Sequence, residues 1–327
     1  MNKAAITGIG GYVPDHVLSN SDLEKMVDTT DDWIISRTGI KERRILKDSN
    51  KPTSYLAIKA AKNLINKNNL NPELIDLVIV ATITPDFPVA ATAAYVASKI
   101  GAKKAFAYDL QAACSGFLYG MSSAVSYINS GRYEKILLIG ADKMSSIVDY
   151  KDRATCVIFG DGGGAVLFEK SKNNFGWEDE FFRSNGEDRK ALKVKAGGSL
   201  FPTSSESYKN GWHNIYQDGK TVFKYAVSEM SYVTEEIFKR NNLNNENIDY
   251  LVPHQANKRI IDATIDRINI SQEKVLMNIS NYGNTTAATI PLLLYDYESK
   301  FKLGDNLVFS AFGGGFTWGS SYLTWAY

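Results

Sequence analysis

The chain is poor in cysteine and histidine. Its 327 residues include two cysteines, Cys114 and Cys156, and three histidines. Two thiols provide neither a disulfide framework nor the repeated cysteine spacing of a zinc site. We therefore expect no bound metal, and the cysteine usage is typical of a reducing, cytoplasmic setting.

An excess of charge of either sign is also lacking. The 37 Lys and Arg residues nearly balance the 36 Asp and Glu residues. Nucleic acids and anionic membranes attract proteins with a strong basic excess. We therefore expect neither as a partner, and any charged partner must be recognised by a local patch.

No apolar run has the composition of a membrane span. Two uncharged stretches, 110–131 and 308–327, are long enough to test, but the first carries Gln111 and Asn129 and the second four glycines. Both are typical of buried core segments. The glycines within residues 1–11 favour a first strand and turn over a signal peptide.

Strand-like apolar runs alternate with helical patterns, which predicts a layered α/β fold. Residues 69–78 resemble residues 242–251 at a constant offset (242 − 69 = 173), and in both copies a helix precedes and a buried strand follows. The repeat predicts two similar βαβ halves, with sites at the matching strand ends meeting at a pseudo-two-fold interface. We expect an N-terminal half at 1–170, an irregular connecting segment at 171–214 and a C-terminal half at 215–327.

Cys114 is the candidate nucleophile. It follows the strand-like run 106–110 and opens a long apolar helix. A thiol in the first helical turn faces unpaired N–H groups and the positive end of the helix dipole, which favour the thiolate. Cysteine is also among the most buried residue types, so position alone leaves a purely structural thiol open.

His254 and Asn284 are the candidate partners of Cys114. His254 follows a short apolar strand and precedes a helix, where α/β proteins present functional groups. Asn284 occupies a turn that the repeat makes equivalent to that of Cys114 (284 − 114 = 170). Taken singly, His254 can be a core histidine and Asn284 a helix cap. Taken with the repeat, the three are expected to converge on one buried point.

Two further features suggest ligand contacts. The run Ala-Phe-Gly-Gly-Gly-Phe at 311–316 lets backbone N–H groups approach a ligand and can supply an oxyanion hole. A phosphate loop is disfavoured because no Lys-Ser/Thr follows. Trp33 and Arg37 share a face of a predicted helix and can clamp a planar phosphorylated ligand, or else form a surface arginine beside a half-buried tryptophan.

Four motifs in chain order resemble the β-ketoacyl-[acyl-carrier-protein] synthase III family of bacterial fatty-acid synthesis. They are Asp-Leu-Gln-Ala-Ala-Cys-Ser-Gly-Phe at 109–117, Val-Pro-His-Gln-Ala-Asn at 252–257, Gly-Asn-Thr at 283–285 and Phe-Gly-Gly-Gly-Phe-Thr-Trp-Gly at 312–319. The resemblance covers essentially the whole chain. It implies an α/β thiolase-like fold of two duplicated βαβαβ halves in five αβαβα layers, usually assembled as a homodimer.

The resemblance also implies a decarboxylating Claisen condensation. Cys114 would take the acyl group of a short acyl-CoA, and His254 with Asn284 would hold the thioester oxygen of malonyl-acyl carrier protein as CO2 departs. Backbone N–H groups of Cys114 and Gly314 would form the oxyanion hole. The product would be a 3-oxoacyl-acyl carrier protein, and no cofactor is expected because coenzyme A enters as a substrate.

Binding residues follow from the same resemblance. Coenzyme A would be bound by Thr29, Trp33, Arg37, Arg153, Gly219, Phe223 and Asn257. Phe312 would line the acyl pocket, and Phe87 would reach into the pocket of the partner subunit. Lys224, Lys258 and Arg259 would dock the acidic carrier protein. Asp266-Arg267 departs from the basic pair that related enzymes often carry, which weakens or alters that docking surface.

Several alternatives stay open from the sequence. A related condensing enzyme of secondary metabolism that uses another acceptor would carry the same triad. A thiolase would need a second, late catalytic cysteine, and elongating synthases use two histidines where this chain has His254 and Asn284. A thiol hydrolase is disfavoured because Asn284 cannot activate water, and a catalytically silent interaction protein is the remaining alternative.

Overall fold

The computed structural model describes residues 2–327, which contain thirteen strands and eleven helices. The strands are β1 (Ala4–Tyr12), β2 (Val17–Ser19), β3 (Glu42–Arg44), β4 (Leu77–Ala81), β5 (Phe106–Leu110), β6 (Lys135–Asp142), β7 (Gly162–Lys170), β8 (Trp177–Ser184), β9 (Leu192–Val194), β10 (Ile215–Gln217), β11 (Tyr250–Pro253), β12 (Asn306–Gly313) and β13 (Thr317–Thr324). The helices are α1 (Asn20–Leu23), α2 (Asp31–Thr38), α3 (Thr53–Lys67), α4 (Thr92–Ile100), α5 (Gly116–Asn129), α6 (Arg153–Cys156), α7 (Ser205–Lys209), α8 (Gly219–Arg240), α9 (Lys258–Ile268), α10 (Ile279–Tyr282) and α11 (Thr289–Tyr297).

Two sheets of related topology carry the fold. The first has the strand order β1-β7-β6-β4-β5, and the second has the order β11-β12-β13-β8. In the first sheet β6, β4 and β5 run parallel while β1 and β7 are antiparallel to their neighbours. In the second sheet β11 and β12 are parallel, and β13 and β8 are antiparallel. The second sheet therefore repeats strands β4, β6, β7 and β1 in the same order.

The predicted duplication is confirmed by the positions of the elements. The offset of 173 positions relates the starts of β1 and β8, of β4 and β11, and of α5 and α11. The chain leaves α3 and α8 through Asn69 and Asn242, which adopt left-handed φ values of 51° and 53°. Asparagine tolerates this conformation better than most residues, so both copies use it to turn toward the next strand.

The elements stack in the five layers that the resemblance implies. Helices α3 and α4 cover the outer face of the first sheet, α5 and α11 lie between the sheets, and α8 and α9 cover the outer face of the second sheet. The uncharged stretch 110–131 is largely the central helix α5, whose buried side chains include Phe117, Met121 and Val125. A helix between two sheets is buried on most sides, which accounts for its lack of charge.

The segment 171–214 is not irregular throughout, which corrects the sequence expectation. Strand β8 forms the edge of the second sheet and pairs with β13, and β9 pairs with β10. The strand Trp177–Ser184 lacks clear alternation because it is an edge strand carrying several charged residues. The second copy thus begins at β8.

Within residues 2–327 no helix is long and apolar enough to cross a membrane.

Candidate active site

A cavity of about 1050 Å³ opens where the two halves meet. Cys114, His254 and Asn284 all line it, together with the glycine run Gly313–Gly315 and Phe312. Cys114 comes from the turn before α5, His254 from the end of β11, and Asn284 from the turn before α11. The three side chains that the sequence singles out are therefore brought to one enclosed space.

Cys114 lies in a one-turn 3-10 helix, Ala113–Ser115, directly before α5. Strand β12 ends against this turn, since a Cβ added to Gly313 would lie 2.7 Å from the Cys114 nitrogen. Only glycine permits this approach. A Cβ at Gly314 would stand 3.6 Å from the Ala113 Cβ, so the glycine run and the cysteine turn lie side by side.

Burial dominates the electrostatics of the thiol. It raises the pKa of Cys114 to about 12, with a second contribution from the negative charge of Asp142, while hydrogen bonding to Asn284 acts in the opposite direction. The backbone N–H at the helix start lowers the pKa of the thiol, as the sequence predicts, but burial outweighs it. The free energy needed to remove a thiolate from water is larger than the stabilisation that the neighbouring N–H groups provide.

His254 is held as a neutral ring. Its side chain is only 2% exposed, and burial lowers its pKa to about 3. Nδ1 lies 2.6 Å from the hydroxyl oxygen of Thr289. Nε2 is buried and has no hydrogen-bond partner among the described residues. An imidazole nitrogen on the wall of the cavity is thus left available to a substrate.

Asn284 is oriented by its own turn. Its Oδ1 accepts a hydrogen bond from the Thr286 backbone N–H at 2.8 Å, which is the helix-cap role offered as its alternative. The backbone of Asn284 is fixed by hydrogen bonds to Ile158 and Gly160. Because Oδ1 is engaged, the amide nitrogen is the end that can donate to a ligand.

The structural counterpart of Cys114 in the second half is Ala287, not Asn284. Cys114 and Ala287 occupy the 3-10 turns Ala113–Ser115 and Thr286–Ala288, which precede α5 and α11 at the offset of 173. The first residue of each turn is left-handed, with φ of 47° and 53°. Helix α10 and a single parallel bridge replace the β5 strand in the second half, which changes the spacing before the turn.

Sequence reasoning missed Asp142, which links the two halves beside the site. This fully buried carboxylate accepts hydrogen bonds of 2.8 Å from the hydroxyls of both Thr82 and Thr84, and another from the Thr286 hydroxyl. It therefore holds the left-handed residue that orients Asn284. The available signal was an acidic residue at the end of the otherwise apolar strand β6.

The residues expected to bind coenzyme A fall into two groups, those on the cavity wall and those outside it. On the cavity wall are Trp33, Arg37, Gly219, Phe223 and Asn257. Helix α2 places Trp33 and Arg37 one turn apart as expected, yet the guanidinium stacked on Trp33, at 4.9 Å, belongs to Arg153. Neither Arg153 nor Thr29 lines the cavity. Sequence reasoning missed the lining cations Arg189, Lys193 and Lys220.

Of the residues expected to line the acyl pocket or to dock the carrier protein, some also lie on the cavity wall and some lie outside it. Phe312 lines the cavity, whereas Phe87 is 69% exposed and outside it. Arg259 is on the wall and stacks over Phe223, while Lys224 and Lys258 are exposed outside the wall.

Within residues 2–327 no cluster of three or more His, Cys, Asp or Glu is arranged to hold a metal.

Comparisons with known proteins agree with this geometry. Residues 108–186 match the family described as 3-Oxoacyl-[acyl-carrier-protein (ACP)] synthase III, and residues 238–325 match its C-terminal family. A β-ketoacyl-[acyl-carrier-protein] synthase III of Phocaeicola vulgatus is 54% identical over 99% of this chain and 97% of its own. That of Porphyromonas gingivalis is 50% identical over 100% and 98%.

Solved structures agree as well. The 3-oxoacyl-[acyl-carrier-protein] synthase III of Aquifex aeolicus is 41% identical with a TM-score of 0.90, covering 98% of this chain and 100% of that one. The priming β-ketosynthase of the R1128 polyketide pathway has a TM-score of 0.91 but only 27% identity, covering 99% and 96%. The comparisons therefore favour fatty-acid synthesis over secondary metabolism, and the chain belongs to the β-ketoacyl-[acyl-carrier-protein] synthase III family, the thiolase-fold acyltransferases that initiate fatty-acid synthesis by condensation.

Proposed function

We propose that this chain condenses a short acyl-CoA with malonyl-acyl carrier protein, and that Cys114, His254 and Asn284 carry out the reaction. The observation that supports this proposal is the meeting of these three side chains and the glycine run on one buried cavity. No cofactor takes part, because both substrates arrive as activated thioesters.

In the first half-reaction the Cys114 sulfur attacks the acyl carbon of acyl-CoA. The sulfur–carbon bond to Cys114 forms, the bond to coenzyme A breaks, and the departing coenzyme A takes the thiol proton. Because burial keeps Cys114 protonated, the proton must move as the bond forms rather than beforehand. The N–H groups of Cys114 and Gly314 stabilise the oxyanion.

In the second half-reaction malonyl-acyl carrier protein binds to the acylated enzyme. His254 and Asn284 donate hydrogen bonds to the malonyl thioester oxygen while CO2 leaves, so negative charge develops where donors already stand. The resulting enolate carbon attacks the acyl group on Cys114. The carbon–sulfur bond to Cys114 breaks, and the released thiolate takes a proton from water.

Coenzyme A enters along the wall between α2, α8 and α9. The indole of Trp33, backed by the Arg153 guanidinium, provides a stacking face for the adenine, and Arg37 provides a phosphate contact. Asn257 caps α9 and donates to the Arg37 carbonyl at 3.0 Å, so it holds the two sides of the entrance together. Gly219 and Phe223 line the same cavity and would contact the bound coenzyme A, whereas Thr29 does not line it.

The acidic carrier protein docks beside the same entrance. Lys224 and Lys258 are exposed there and Arg259 lies on the wall, although Lys258 already pairs with Asp262 at 2.7 Å. Lys224→Glu is expected to raise the KM for malonyl-acyl carrier protein several-fold and leave the KM for acyl-CoA unchanged. Equal changes in both constants would contradict a carrier-specific role.

The active form is a homodimer built on the free edge of the first sheet. Strand β5 is the outermost strand, and its Phe106 is 41% exposed within an aromatic group with Tyr108, Tyr127 and Tyr133. An exposed apolar edge strand is a ready surface for pairing with a second copy. The exposed Phe87 then enters the partner's acyl pocket.

Light scattering tests this assembly. Wild-type protein is expected at the mass of two chains and Phe106→Glu at the mass of one. Leu303→Glu, which changes a more exposed apolar residue in the second half, is the control and should stay dimeric.

The reaction is placed in the cytoplasm, where the free cysteines stay reduced. Recovery of the native protein mainly from another cell fraction would contradict this placement.

Acyl transfer to the enzyme is the decisive test of function. Incubation with a panel of short acyl-CoAs should add the mass of one acyl group to the peptide containing Cys114. The acylated protein should then convert malonyl-acyl carrier protein to the 3-oxoacyl product with release of CO2. An unmodified Cys114 across the whole panel would contradict the proposal.

A further inference from the structure

The Nδ1 edge of the His254 ring contacts one hydroxyl, that of Thr289. Nδ1 of the ring lies 2.6 Å from the Thr289 oxygen, and the same oxygen lies 3.0 Å from the backbone carbonyl of Thr286. Thr289 is the first residue of α11 and is 2% exposed, so water does not compete for these contacts. The hydroxyl has one proton and two candidate acceptors.

The destination of that proton decides what His254 can do. If the hydroxyl donates to the Thr286 carbonyl, the ring proton sits on Nδ1, and Nε2 presents a lone pair that suits a base. If it donates to Nδ1, the ring proton sits on Nε2, and His254 presents an N–H donor to the cavity. Because burial keeps the ring neutral, the choice of tautomer replaces ionisation as the controlling variable.

We infer that Thr289 is a positioning residue, which donates its hydroxyl proton to Nδ1 and thereby fixes the His254 ring proton on Nε2. Nδ1 of a functional histidine commonly meets a carbonyl or carboxylate, and such a partner would force the opposite tautomer. A hydroxyl is able to donate, and the contact to Nδ1 is the shorter of the two. The inference rests on the proposed role of His254 as a donor to the malonyl thioester oxygen.

The first half of the molecule supports a dedicated role for this pair. At the offset of 173, His254 corresponds to Ala81 and Thr289 to Gly116. A Cβ added to Gly116 would lie 3.5 Å from the Ala81 Cβ, so the same two positions are adjacent in both halves. The fold needs only small residues there, and the histidine and hydroxyl occur together in the copy that would hold the enolate.

The experiment compares Thr289→Val, Thr289→Ser and a matched control. Valine keeps the shape of threonine and removes the hydroxyl, whereas serine keeps the hydroxyl. Thr264→Val removes another buried hydroxyl that donates to a helix carbonyl, at 3.0 Å, without contacting His254. Malonyl decarboxylation by acylated enzyme is followed with kcat and KM resolved, and acylation of Cys114 is followed by mass spectrometry.

Thr289→Val is expected to lower kcat for decarboxylation roughly 10-fold, less than the 10²–10³ typical of deleting a donor outright. KM and Cys114 acylation should stay within about twofold of wild type, since Thr289 touches neither substrate nor thiol. Thr289→Ser and Thr264→Val should retain wild-type rates. Nitrogen-15 NMR of His254 should show the proton on Nε2 in the wild type and a shift toward Nδ1 in Thr289→Val.

Three outcomes would overturn the inference. One is a wild-type spectrum with the proton on Nδ1, which decides the tautomer even if Thr289→Val fails to fold. The second is a Thr289→Val enzyme whose Cys114 is acylated more slowly while decarboxylation per acylated enzyme is unchanged, which would make His254 a base for Cys114. The third is wild-type decarboxylation and wild-type acylation in Thr289→Val. The His254→Ala variant distinguishes failure of the proposed role of His254 from failure of the inference about Thr289. Decarboxylation retained in His254→Ala removes the proposed role of the histidine, whereas loss in His254→Ala and retention in Thr289→Val removes only Thr289.

Discussion

The two halves of the molecule share a backbone plan and place chemistry at different points of it. At three pairs of equivalent positions, one half has a polar or reactive side chain and the other has a small residue. The pairs related by the offset of 173 are Ala81 with His254, Cys114 with Ala287, and Gly116 with Thr289. A single cavity thus receives a thiol from one copy and, from the other, an imidazole whose Nδ1 contacts a buried hydroxyl.

The comparison shows why small residues at these positions matter as much as the reactive ones. Ala287 is buried, and a Cβ at Gly140 would stand 2.2 Å from its carbonyl oxygen, so the second turn is packed directly on the first sheet. The Cys114 turn instead faces the cavity. Two turns of the same shape therefore differ in their middle residue, because Cys114 lines the cavity and Ala287 does not.

Moving the thiol between the two turns should produce the largest effect. Cys114→Ala is expected to abolish acyl-enzyme formation and to lower condensation by 10³ or more, roughly the loss seen on deleting a covalent nucleophile. Adding Ala287→Cys to this variant should not restore acylation, because the second turn lacks the adjoining glycine run. Mass spectrometry after acyl-CoA treatment measures both, and acylation at residue 287 would break the comparison.

Removing the donors of the second half should affect only the second half-reaction. His254→Ala and Asn284→Ala are each expected to lower malonyl decarboxylation roughly 10²–10³-fold, because the developing enolate loses a fixed donor. Acylation of Cys114 should continue near the wild-type rate. Condensation retained in both variants would remove these residues from the proposed site.

Asp142 joins the halves, and Asp142→Asn tests that link. Loss of the carboxylate leaves buried hydroxyl donors imperfectly paired, which should lower the free energy of unfolding by about 1–3 kcal/mol. Since the charge of Asp142 contributes to raising the pKa of Cys114, its removal should also lower that pKa. Urea unfolding measures the first effect, and the pH dependence of iodoacetamide alkylation measures the second. An unchanged or higher thiol pKa would contradict the electrostatic coupling.

The smallest effect concerns pH. Burial depresses the pKa of His254 to about 3, so its ring stays neutral between pH 6 and 8, and decarboxylation should vary less than about twofold there. An unfolded chain protonates the histidine near pH 6.5. The folded state therefore loses stability as pH falls from about 6.5 toward 3, a trend His254→Gln should weaken. If the decarboxylation rate halves near pH 6.5 in the wild type but not in His254→Gln, the His254 ring titrates as an exposed histidine, which would contradict the prediction.

Much of the fold and the core of the site could be predicted from the sequence. The repeat at residues 69 and 242 predicted the duplicated sheets because each copy keeps its own local pattern. The motifs around Cys114, His254 and Asn284 predicted which side chains share a cavity. These are features that a local stretch of chain encodes by itself.

What could not be predicted depends on distant partners. Asp142 acquires its significance from the hydrogen bond that Thr286 of the other half donates to it, and Thr289 from its contact with His254, 35 positions earlier in the chain (289 − 254 = 35). The pKa of Cys114 is set by total burial, which outweighs the helix start that the sequence displays. Strand β8 was missed because its partner, β13, lies 140 positions away (317 − 177 = 140).

Strand β8 also fixes where one copy of the repeat gives way to the next. Beside this junction the Ser171 N–H donates to the Lys3 carbonyl at 2.7 Å, and the Asn173 amide donates to the Ala326 carbonyl at 2.9 Å. The first strand, the last strand and the junction therefore meet at one place on the surface. A circular permutant that starts at β8 and joins residue 327 to residue 2 by a short linker would preserve every strand pairing, so the order of the copies along the chain is separable from the architecture that they build.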